Sequence, residues 1–427
     1  MMDQEDNYYF LEGNRLRVEG RIPQAIGAYL EAVRRRPSHT GAHFNLAVAY
    51  TISGQFQPAL LHYREALRFD PENATIHLAA GNLLADMKQW DEAVREYREA
   101  LTLDPTLASA HVNLGNILME RGAADSAIES YREAIALDPE HVEAHFSLGN
   151  ALHSKGWVDA AIAYWHDTLR LDPEHGRANY NLGSVYYALQ KYDEATRHYR
   201  EALRISPEFA DAHHYLGDVL SDQGDIDTAI AEYRKALKLD SRHVDARNNL
   251  GLALRLKGQL DAAIAQWEEA IRLEPGYAEA HHNLGAALFV TGNFHMGLHE
   301  LREAIRLQPD HAWAHFNLGV ALNQMGNIDG AIANWQEAAH LNPNLVGAHF
   351  NLGNAFYKRG NPDQAVSKWR ETLRFDPEHP WASFNIGGAS RSTPSVDYTY
   401  AQCESTVKQH PRVAGRMFAA TGASPRS

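Results

Sequence analysis

Two stripes of apolar residues, separated by a turn, run through the stretch from Ala108 to His141. The first stripe consists of His111, Leu114, Gly115 and Leu118. The second consists of Ala127, Tyr131 and Ala134. Steps of three and four residues are typical of amphipathic helices. Gly122 lies between the stripes, where a reversing chain needs a permissive backbone, and Pro139 follows the second stripe, as is common after a helix. The pattern therefore predicts a helix-turn-helix hairpin.

The same 34-residue pattern begins again at Val142 and extends in both directions without insertion or deletion. Position 1 falls at Asp6, Thr40, Ala74, Ala108, Val142, Gly176, Ala210, Val244, Ala278, Ala312 and Val346. A fixed period of this length is the signature of a helical array, in which each hairpin buries its apolar face against its neighbours. We predict eleven in-register repeats over residues 6–379.

Four positions of the repeat carry most of the pattern. Position 8 is Gly in ten repeats and Ala47 in the second, which allows close helix packing. Position 20 is Ala except for Gly297, and position 24 is aromatic except for Leu301. Position 32 is Pro except for Ser241. The positions of these residues, together with Leu-Gly in the first helix, resemble the tetratricopeptide repeat (TPR) family.

The TPR resemblance covers nearly the whole chain and implies both a fold and a function. The implied fold is an all-α, right-handed α-solenoid superhelix of about twelve 34-residue helix-turn-helix repeats, with first helices lining a concave groove. Members of the family mostly bind peptides or proteins and are seldom enzymes. Residues 380–413 form a degenerate twelfth copy that we interpret as a C-terminal capping repeat. Residues 414–427 are expected to be a flexible tail, or a self-peptide docked through Arg416, Met417 and Phe418.

Positions 2, 6, 9 and 13 of each first helix lie opposite the packing stripe and form the predicted partner-binding surface. Position 6 carries Asn45, Asn113, Asn181, Asn249, Asn283, Asn317, Asn351 and Asn385. Position 9 adds Asn82, Asn116, Asn150 and Asn354. A carboxamide offers both a donor and an acceptor, so a ladder of them can pair with an extended peptide backbone. Replacing Asn283, Asn317 and Asn351 together by alanine should hardly change stability if these side chains point into solvent. The alternative is that these amides hydrogen-bond neighbouring helices.

The Asn ladder and the AHxNLG pattern also resemble the TPR superhelix of the O-linked N-acetylglucosamine transferase family. That resemblance implies binding of extended substrates along the ladder. We find no sugar-nucleotide domain after the predicted cap, so transferase activity is not expected of this chain.

Two further features of the predicted surface bear on the partner. Aromatic residues at position 5, including Phe316 and Phe350, are candidates to contact apolar side chains of a partner, although packing is an equal alternative. Several acidic residues also face inward: Glu120, Glu143, Asp211, Asp218, Asp222, Asp245 and Glu279. They would favour a neutral or basic segment, unless they only form a solvated face.

Histidines repeat with the same period. Eight lie at position 4: His43, His77, His111, His145, His213, His281, His315 and His349. Six lie at position 34: His39, His141, His175, His243, His311 and His379. No third ligand accompanies them consistently, so we predict imidazoles packed at repeat junctions and no metal site. If they are buried and neutral, the array should loosen below about pH 6.

Composition narrows the class of protein further. The 427 residues carry a net charge of −14, which argues against nucleic acid or an anionic membrane as a partner. One cysteine, Cys403, an acidic N-terminus without an apolar signal segment, and no run of about 18 apolar residues lead us to expect a cytoplasmic protein. No phosphate loop, zinc-protease motif or nucleophile elbow occurs, so we expect neither an enzyme nor a cofactor.

The leading hypothesis is therefore a non-catalytic scaffold that binds an extended protein segment. One alternative is an accessory or substrate-recruiting subunit of an enzyme complex, glycosyltransferase-like by the resemblance above. Another is a TPR coat or filament protein that assembles through its repeat ends, a homo-oligomer favoured by Tyr8, Tyr9 and Phe10 near the N-terminus.

Overall fold

A computed structural model describes residues 2–389 and the side chains of residues 7–387. The prediction for 390–413 as part of a capping repeat, and all predictions for 414–427, lie outside the described residues. So do Cys403, Arg416, Met417 and Phe418.

The part of the chain that the structure describes contains 23 α-helices and no strand. The first helices of the repeats are α1 (Met2–Val18), α3 (Thr40–Ile52), α5 (Ala74–Asp86), α7 (Ala108–Glu120), α9 (Val142–Ser154), α11 (Gly176–Ala188), α13 (Ala210–Asp222), α15 (Val244–Leu256), α17 (Ala278–Val290), α19 (Ala312–Gln324), α21 (Val346–Lys358) and α23 (Pro380–Ala389). The second helices are α2 (Ile22–Arg35), α4 (Phe56–Phe69), α6 (Trp90–Leu103), α8 (Ala124–Leu137), α10 (Val158–Leu171), α12 (Tyr192–Ile205), α14 (Ile226–Leu239), α16 (Leu260–Leu273), α18 (Phe294–Leu307), α20 (Ile328–Leu341) and α22 (Pro362–Phe375).

The predicted all-α architecture of paired helix-turn-helix repeats is confirmed. The contacts divide the chain into two compact units, which meet in sequence between Val185 and Tyr186. In the first unit the core includes Ala47, Leu60, Tyr63, Leu83 and Tyr97. In the second it includes Leu318, Ile332, Trp335, Leu352 and Trp369.

The hairpin turn depends on a left-handed residue at position 15. Gly122 has a φ of +74° there, and Lys88 and Gln190 adopt φ values of +57° and +61° at the equivalent places. The two helices then close on a glycine at position 8. A Cβ atom added to Gly149 would lie 2.6 Å from Trp165 Nε1, so the indole occupies the space that a side chain would need.

The ninth repeat is packed differently from the others. It has Gly297 at position 20 and Leu301 at position 24 in place of the usual alanine and aromatic residue. A Cβ atom on Gly285 would lie 2.9 Å from the backbone oxygen of Gly297, so α17 and α18 meet backbone to backbone.

The position-34 histidines cap the first helix of the next repeat. His311 Nδ1 accepts a hydrogen bond from the Ala314 backbone N–H at 3.2 Å, and five other repeats share this arrangement. The imidazole also packs on the position-5 ring of its own repeat. The ring centroids of Phe350 and His379 are 4.6 Å apart, and those of His282 and His311 are 4.7 Å apart. Periodic histidine is therefore a structural feature of the joints, as predicted.

The position-4 histidines connect the loop before the repeat to the second helix within it. His213 Nε2 lies 3.1 Å from the Pro207 carbonyl oxygen, and its Nδ1 lies 2.6 Å from a Glu232 carboxylate oxygen. The same contacts surround His281, whose Nδ1 lies 2.6 Å from a Glu300 carboxylate oxygen. Burial disfavours the charged ring, but the hydrogen bonds and the Glu300 charge together outweigh it and raise the pKa of His281. The pKa shifts of the repeat histidines therefore differ in direction, since burial lowers the pKa of His311. No helix in the described range is long and apolar enough to cross a membrane.

Candidate partner-binding surface

Within the first unit, the first helices of neighbouring repeats line a cavity of about 590 Å³. Its polar lining comes from the predicted stripe of positions 2, 6, 9 and 13. These residues are Asn82, Asp86, Asn113, Asn116, Glu120, Glu143, Ser147, Asn150 and Arg177. The cavity thus brings together four of the predicted ladder residues on α5, α7 and α9.

Each position-9 amide in this cavity is held by its oxygen. Asn82 Oδ1 accepts a hydrogen bond from the Tyr97 hydroxyl at 2.9 Å and another from Asn113 Nδ2 at 2.8 Å. Asn116 Oδ1 accepts from Tyr131 at 2.8 Å. Burial raises the pKa of both tyrosine hydroxyls well above their usual value, so each remains a donor.

The same arrangement continues at the next repeat. Asn150 Oδ1 accepts from Trp165 Nε1 at 3.0 Å and from Asn181 Nδ2 at 2.8 Å. In the described part of the chain, no hydrogen bond uses the Nδ2 atoms of Asn82, Asn116 or Asn150. The position-9 ladder therefore offers amide donors in a fixed orientation, because its oxygens are already engaged.

The position-6 amides bridge neighbouring repeats. Five of them donate a hydrogen bond from Nδ2 to the position-9 side chain of the preceding repeat: Asn45, Asn113, Asn181, Asn249 and Asn385. The acceptor is an asparagine oxygen in each case except for Asn249, which donates to Asp218. Asn283 donates instead to Asn248 Oδ1 at 2.9 Å, and Asn317 Nδ2 lies 2.7 Å from His282 Nε2. These seven amides therefore hydrogen-bond neighbouring helices, which is the alternative to peptide binding raised by the sequence.

All the fully buried amides of the ladder lie in the second unit. Asn82 and Asn116 are exposed, and Asn45, Asn113, Asn150, Asn181, Asn249 and Asn317 are half-buried. Asn283, Asn351, Asn354 and Asn385 are buried, with 5% or less of their surface exposed. The condition for an unchanged stability, side chains that point into solvent, is not met by the buried amides, and burial makes an unpaired polar group costly.

The two aromatic candidates at position 5 lie in the core of the second unit. Phe316 is 1% exposed and Phe350 is fully buried. Phe350 packs against Trp369, Ala382 and His379 in a close-packed core. This placement favours the packing alternative for both rings.

Acidic residues dominate the charge of the cavity in the first unit. Asp86 and Glu120 are exposed at position 13 of successive repeats, and no salt bridge reaches either of them within the described residues. Glu143 lies 3.6 Å from Arg177, whose guanidinium lies over the Phe146 ring at 4.9 Å. Asp86 was missed among the acidic candidates, although its place on the stripe would have identified it.

Four of the five inward acids predicted in the second unit are engaged within the chain. Asp218 accepts from the Tyr233 hydroxyl at 2.7 Å, and Asp222 accepts from Tyr187 at 2.9 Å. Asp211 lies 3.3 Å from His243 Nε2, and this hydrogen bond lowers the pKa of the carboxyl. Asp245 accepts from the Tyr277 hydroxyl at 2.7 Å. These carboxylates are less available to a partner than Asp86 and Glu120.

No group of three or more His, Cys, Asp or Glu residues suited to a metal ion occurs among the described residues. The histidines are instead occupied by backbone, ring and glutamate contacts at the joints.

A family model described as "TPR repeat" matches more than half of the chain. The matches cover residues 81–122, 115–156, 183–224, 217–255, 251–292 and 321–360. The chain belongs to the tetratricopeptide repeat family. Further tetratricopeptide repeat models match residues 10–74, 300–333 and 346–379 of this TPR chain.

Solved TPR structures resemble the chain at low sequence identity. The Cut9–Hcn1 hetero-tetramer of the APC/C contains a chain that is 16% identical, with a TM-score of 0.53 over 90% of this chain and 96% of that one. PilF of Pseudomonas aeruginosa is 22% identical, with a TM-score of 0.44 over 48% of this chain and 94% of that one. YrrB, described as a TPR protein with an unusual peptide-binding site, is 30% identical, with a TM-score of 0.39 over 44% of this chain and 96% of that one. No curated protein matches the chain.

Proposed function

We propose that this TPR protein is a non-catalytic scaffold that binds an extended segment of a partner protein along positions 2, 6, 9 and 13 of its first helices. The observation that carries the proposal is the cavity of about 590 Å³ on α5, α7 and α9, with Asn82, Asn113, Asn116 and Asn150 in its wall. The likeness to the transferase superhelix stays a prediction that this proposal does not require.

The chemistry of binding follows from the fixed orientation of the amides. An extended segment leaves its backbone carbonyls without internal partners, and the amides of Asn82, Asn116 and Asn150 have N–H groups left to donate to them. Net hydrogen bonds of this kind contribute about 1 kcal/mol each, so a ladder of several supports binding without reading the partner's side chains. Specificity must then come from the other cavity residues.

A substitution of asparagine by aspartate at position 9 tests this proposal. It removes the amide donor and keeps the oxygen that Tyr97, Tyr131 and Trp165 need, as Asp218 does in the seventh repeat. The test variant combines Asn82→Asp, Asn116→Asp and Asn150→Asp. Random twelve-residue peptides would be selected on the immobilised wild-type chain, and the enriched peptides would then be measured against both proteins.

We expect the enriched peptides to bind the wild type and to lose at least tenfold in affinity for the variant. The matched control adds the same charge on exposed sites of second helices through Thr102→Asp, Ser126→Asp and Ala163→Asp. Peptides that bind the test variant as well as they bind the control would show that the ladder is not the binding surface.

A further inference from the structure

The cavity on α5, α7 and α9 combines two kinds of group that together specify a partner. Its position-9 amides present nitrogen donors, because their oxygens are taken by Tyr97, Tyr131, Trp165 and the next repeat. Among the amides of the wall, only Asn113 at position 6 keeps its oxygen free of a bond in the described residues. The amides of the wall therefore offer a bound backbone more donors than acceptors, and the remaining acceptors of the wall are mainly the carboxylates of Asp86, Glu120 and Glu143.

A backbone that matches such a wall is rich in carbonyls and poor in N–H groups. Proline has a carbonyl and no N–H, and a proline-rich segment adopts the polyproline II helix, which has no internal hydrogen bonds. A peptide with free N–H groups would leave many of them facing amide donors. The donor excess among the amides thus favours a proline-rich sequence over an ordinary β-strand, and leaves the carboxylates for basic side chains.

The spacing of the repeats favours the same conformation. Helices α5, α7 and α9 contact one another in order, and packed helices lie about 8–10 Å apart. A polyproline II helix rises about 9 Å in each turn of three residues. Residues i and i+3 of such a segment therefore present the same face to successive repeats, each at the same position of its first helix.

Charge identifies the residue at those positions. Asp86 and Glu120 occupy position 13 of successive repeats and are both exposed. Glu143 in the next repeat lies at position 2, near the other end of its helix, and faces Arg177 at 3.6 Å. Basic residues three positions apart in the segment would therefore meet one carboxylate in each of the two repeats that carry Asp86 and Glu120. Half-buried Trp90 also lines the cavity, and aromatic side chains are the usual contact for proline rings.

We infer that the cavity binds a proline-rich segment in the polyproline II conformation with a basic residue at every third position. This inference rests on the proposed function and adds to it the chemistry of the partner. The partner is a protein segment, and its sequence pattern is Pro-Pro-Lys or Pro-Pro-Arg repeated over at least two turns.

Fluorescence anisotropy with labelled twelve-residue peptides tests this inference on the full chain. The probe is four repeats of Pro-Pro-Lys, and the neutral comparison is four repeats of Pro-Pro-Gln. A third peptide has the composition of the probe, with eight prolines followed by four lysines. We expect the probe to bind at least fivefold more tightly than either comparison at low salt, and to lose this advantage at high salt.

Charge removal in the cavity provides the second arm. The Asp86→Asn/Glu120→Gln variant should weaken probe binding about fivefold, because two exposed ion pairs of modest strength are lost. The control variant, Glu99→Gln/Glu129→Gln, removes the same charge from exposed sites on α6 and α8 of the same two repeats, and should stay within twofold of the wild type.

Three results would overturn the inference: equal binding of the probe and a comparison peptide, equal effects of the two variants, or no binding of the probe. Failure of the inference is distinguishable from failure of the proposed function. Peptides of another pattern that are selected by the wild type and lost on the triple asparagine variant would leave the proposed function in place and refute only the proline-rich, basic partner.

Discussion

The histidine that caps α19 makes the stability of its repeat depend on pH. His311 is 5% exposed, and its Nδ1 accepts the Ala314 N–H, which requires that nitrogen to be unprotonated. Burial lowers the pKa of His311 from 6.5 to about 4. Asp310 opposes this shift, whereas His315 and the neighbouring His282 ring disfavour a second positive charge.

The sign and size of the effect follow from this difference in pKa. The unfolded chain takes up the proton near pH 6.5 and the folded chain only near pH 4, so the stabilisation is complete above pH 6.5 and is lost as pH falls to 4. Each pKa unit corresponds to about 1.4 kcal/mol, so His311 alone should cost the folded repeat about 2 kcal/mol at pH 5 and about 3 kcal/mol near pH 4.

Substitution by asparagine removes the titration and keeps the cap. Asn73 occupies the same position before α5 and accepts the Ile76 N–H at 3.3 Å, so the chain itself supplies the precedent for His311→Asn. The variant should be less stable than the wild type at pH 7.5, because it loses the ring contact with His282 at 4.7 Å. Its stability should then fall less steeply on acidification.

Native-state hydrogen exchange resolved by mass spectrometry can measure this locally. After correction for the intrinsic exchange rate, protection of α19 in the wild type should fall about 30-fold more between pH 7.5 and pH 5 than in the variant. Amides of α5, whose cap is Asn73, provide an internal control because they should change equally in both proteins. Parallel pH profiles for α19 in the two proteins would refute the assignment of a neutral cap to His311.

Two further predictions concern packing and surface charge. Gly149→Ala should lower the free energy of unfolding by about 1–3 kcal/mol, because the new Cβ would lie 2.6 Å from the Trp165 indole. Gly27→Ala should be neutral or stabilising, because a Cβ there would meet no atom within 4 Å. Urea denaturation of both variants measures the two effects, and a Gly27→Ala protein less stable than Gly149→Ala would contradict the prediction. Lys155→Ala breaks the ion pair with Asp125 at 2.9 Å and should lower the free energy of unfolding by no more than about 0.5 kcal/mol, because the aspartate is 76% exposed. A larger decrease in the same assay would contradict the view that this ion pair is weakened by solvent.

The repeat architecture was predictable from sequence because most hairpins follow the same local rules. Glycine at the turn, a small residue at position 8 and an aromatic residue at position 24 each have a steric reason that periodicity reveals. Exceptions were not predictable: Lys88 and Gln190 adopt the left-handed turn without glycine, because the packed helices on either side determine the backbone there.

The candidate surface was predictable only in outline. Period and helical geometry placed Asn82, Asn116 and Asn150 on one stripe, and the cavity brings them together. Which atom of each amide is free depends on Tyr97 and its equivalents fifteen residues away, and on the following repeat. These partners are determined by tertiary packing, which sequence spacing does not reveal. The sequence therefore predicted both donor and acceptor roles for amides whose oxygens are already occupied.

The shared oxygen at position 9 also sets how the array loses its structure. Asn354 Oδ1 accepts one hydrogen bond from Trp369 Nε1 in its own repeat and another from Asn385 Nδ2 in the next repeat. Unfolding of one hairpin therefore removes a hydrogen bond from its neighbour and lowers the stability of that neighbour. The eighth, ninth and tenth repeats have Leu252, Ala286 and Val320 at this position, and none of these side chains can form such a link. Unfolding should therefore be less cooperative across these three repeats than across repeats that share a position-9 oxygen.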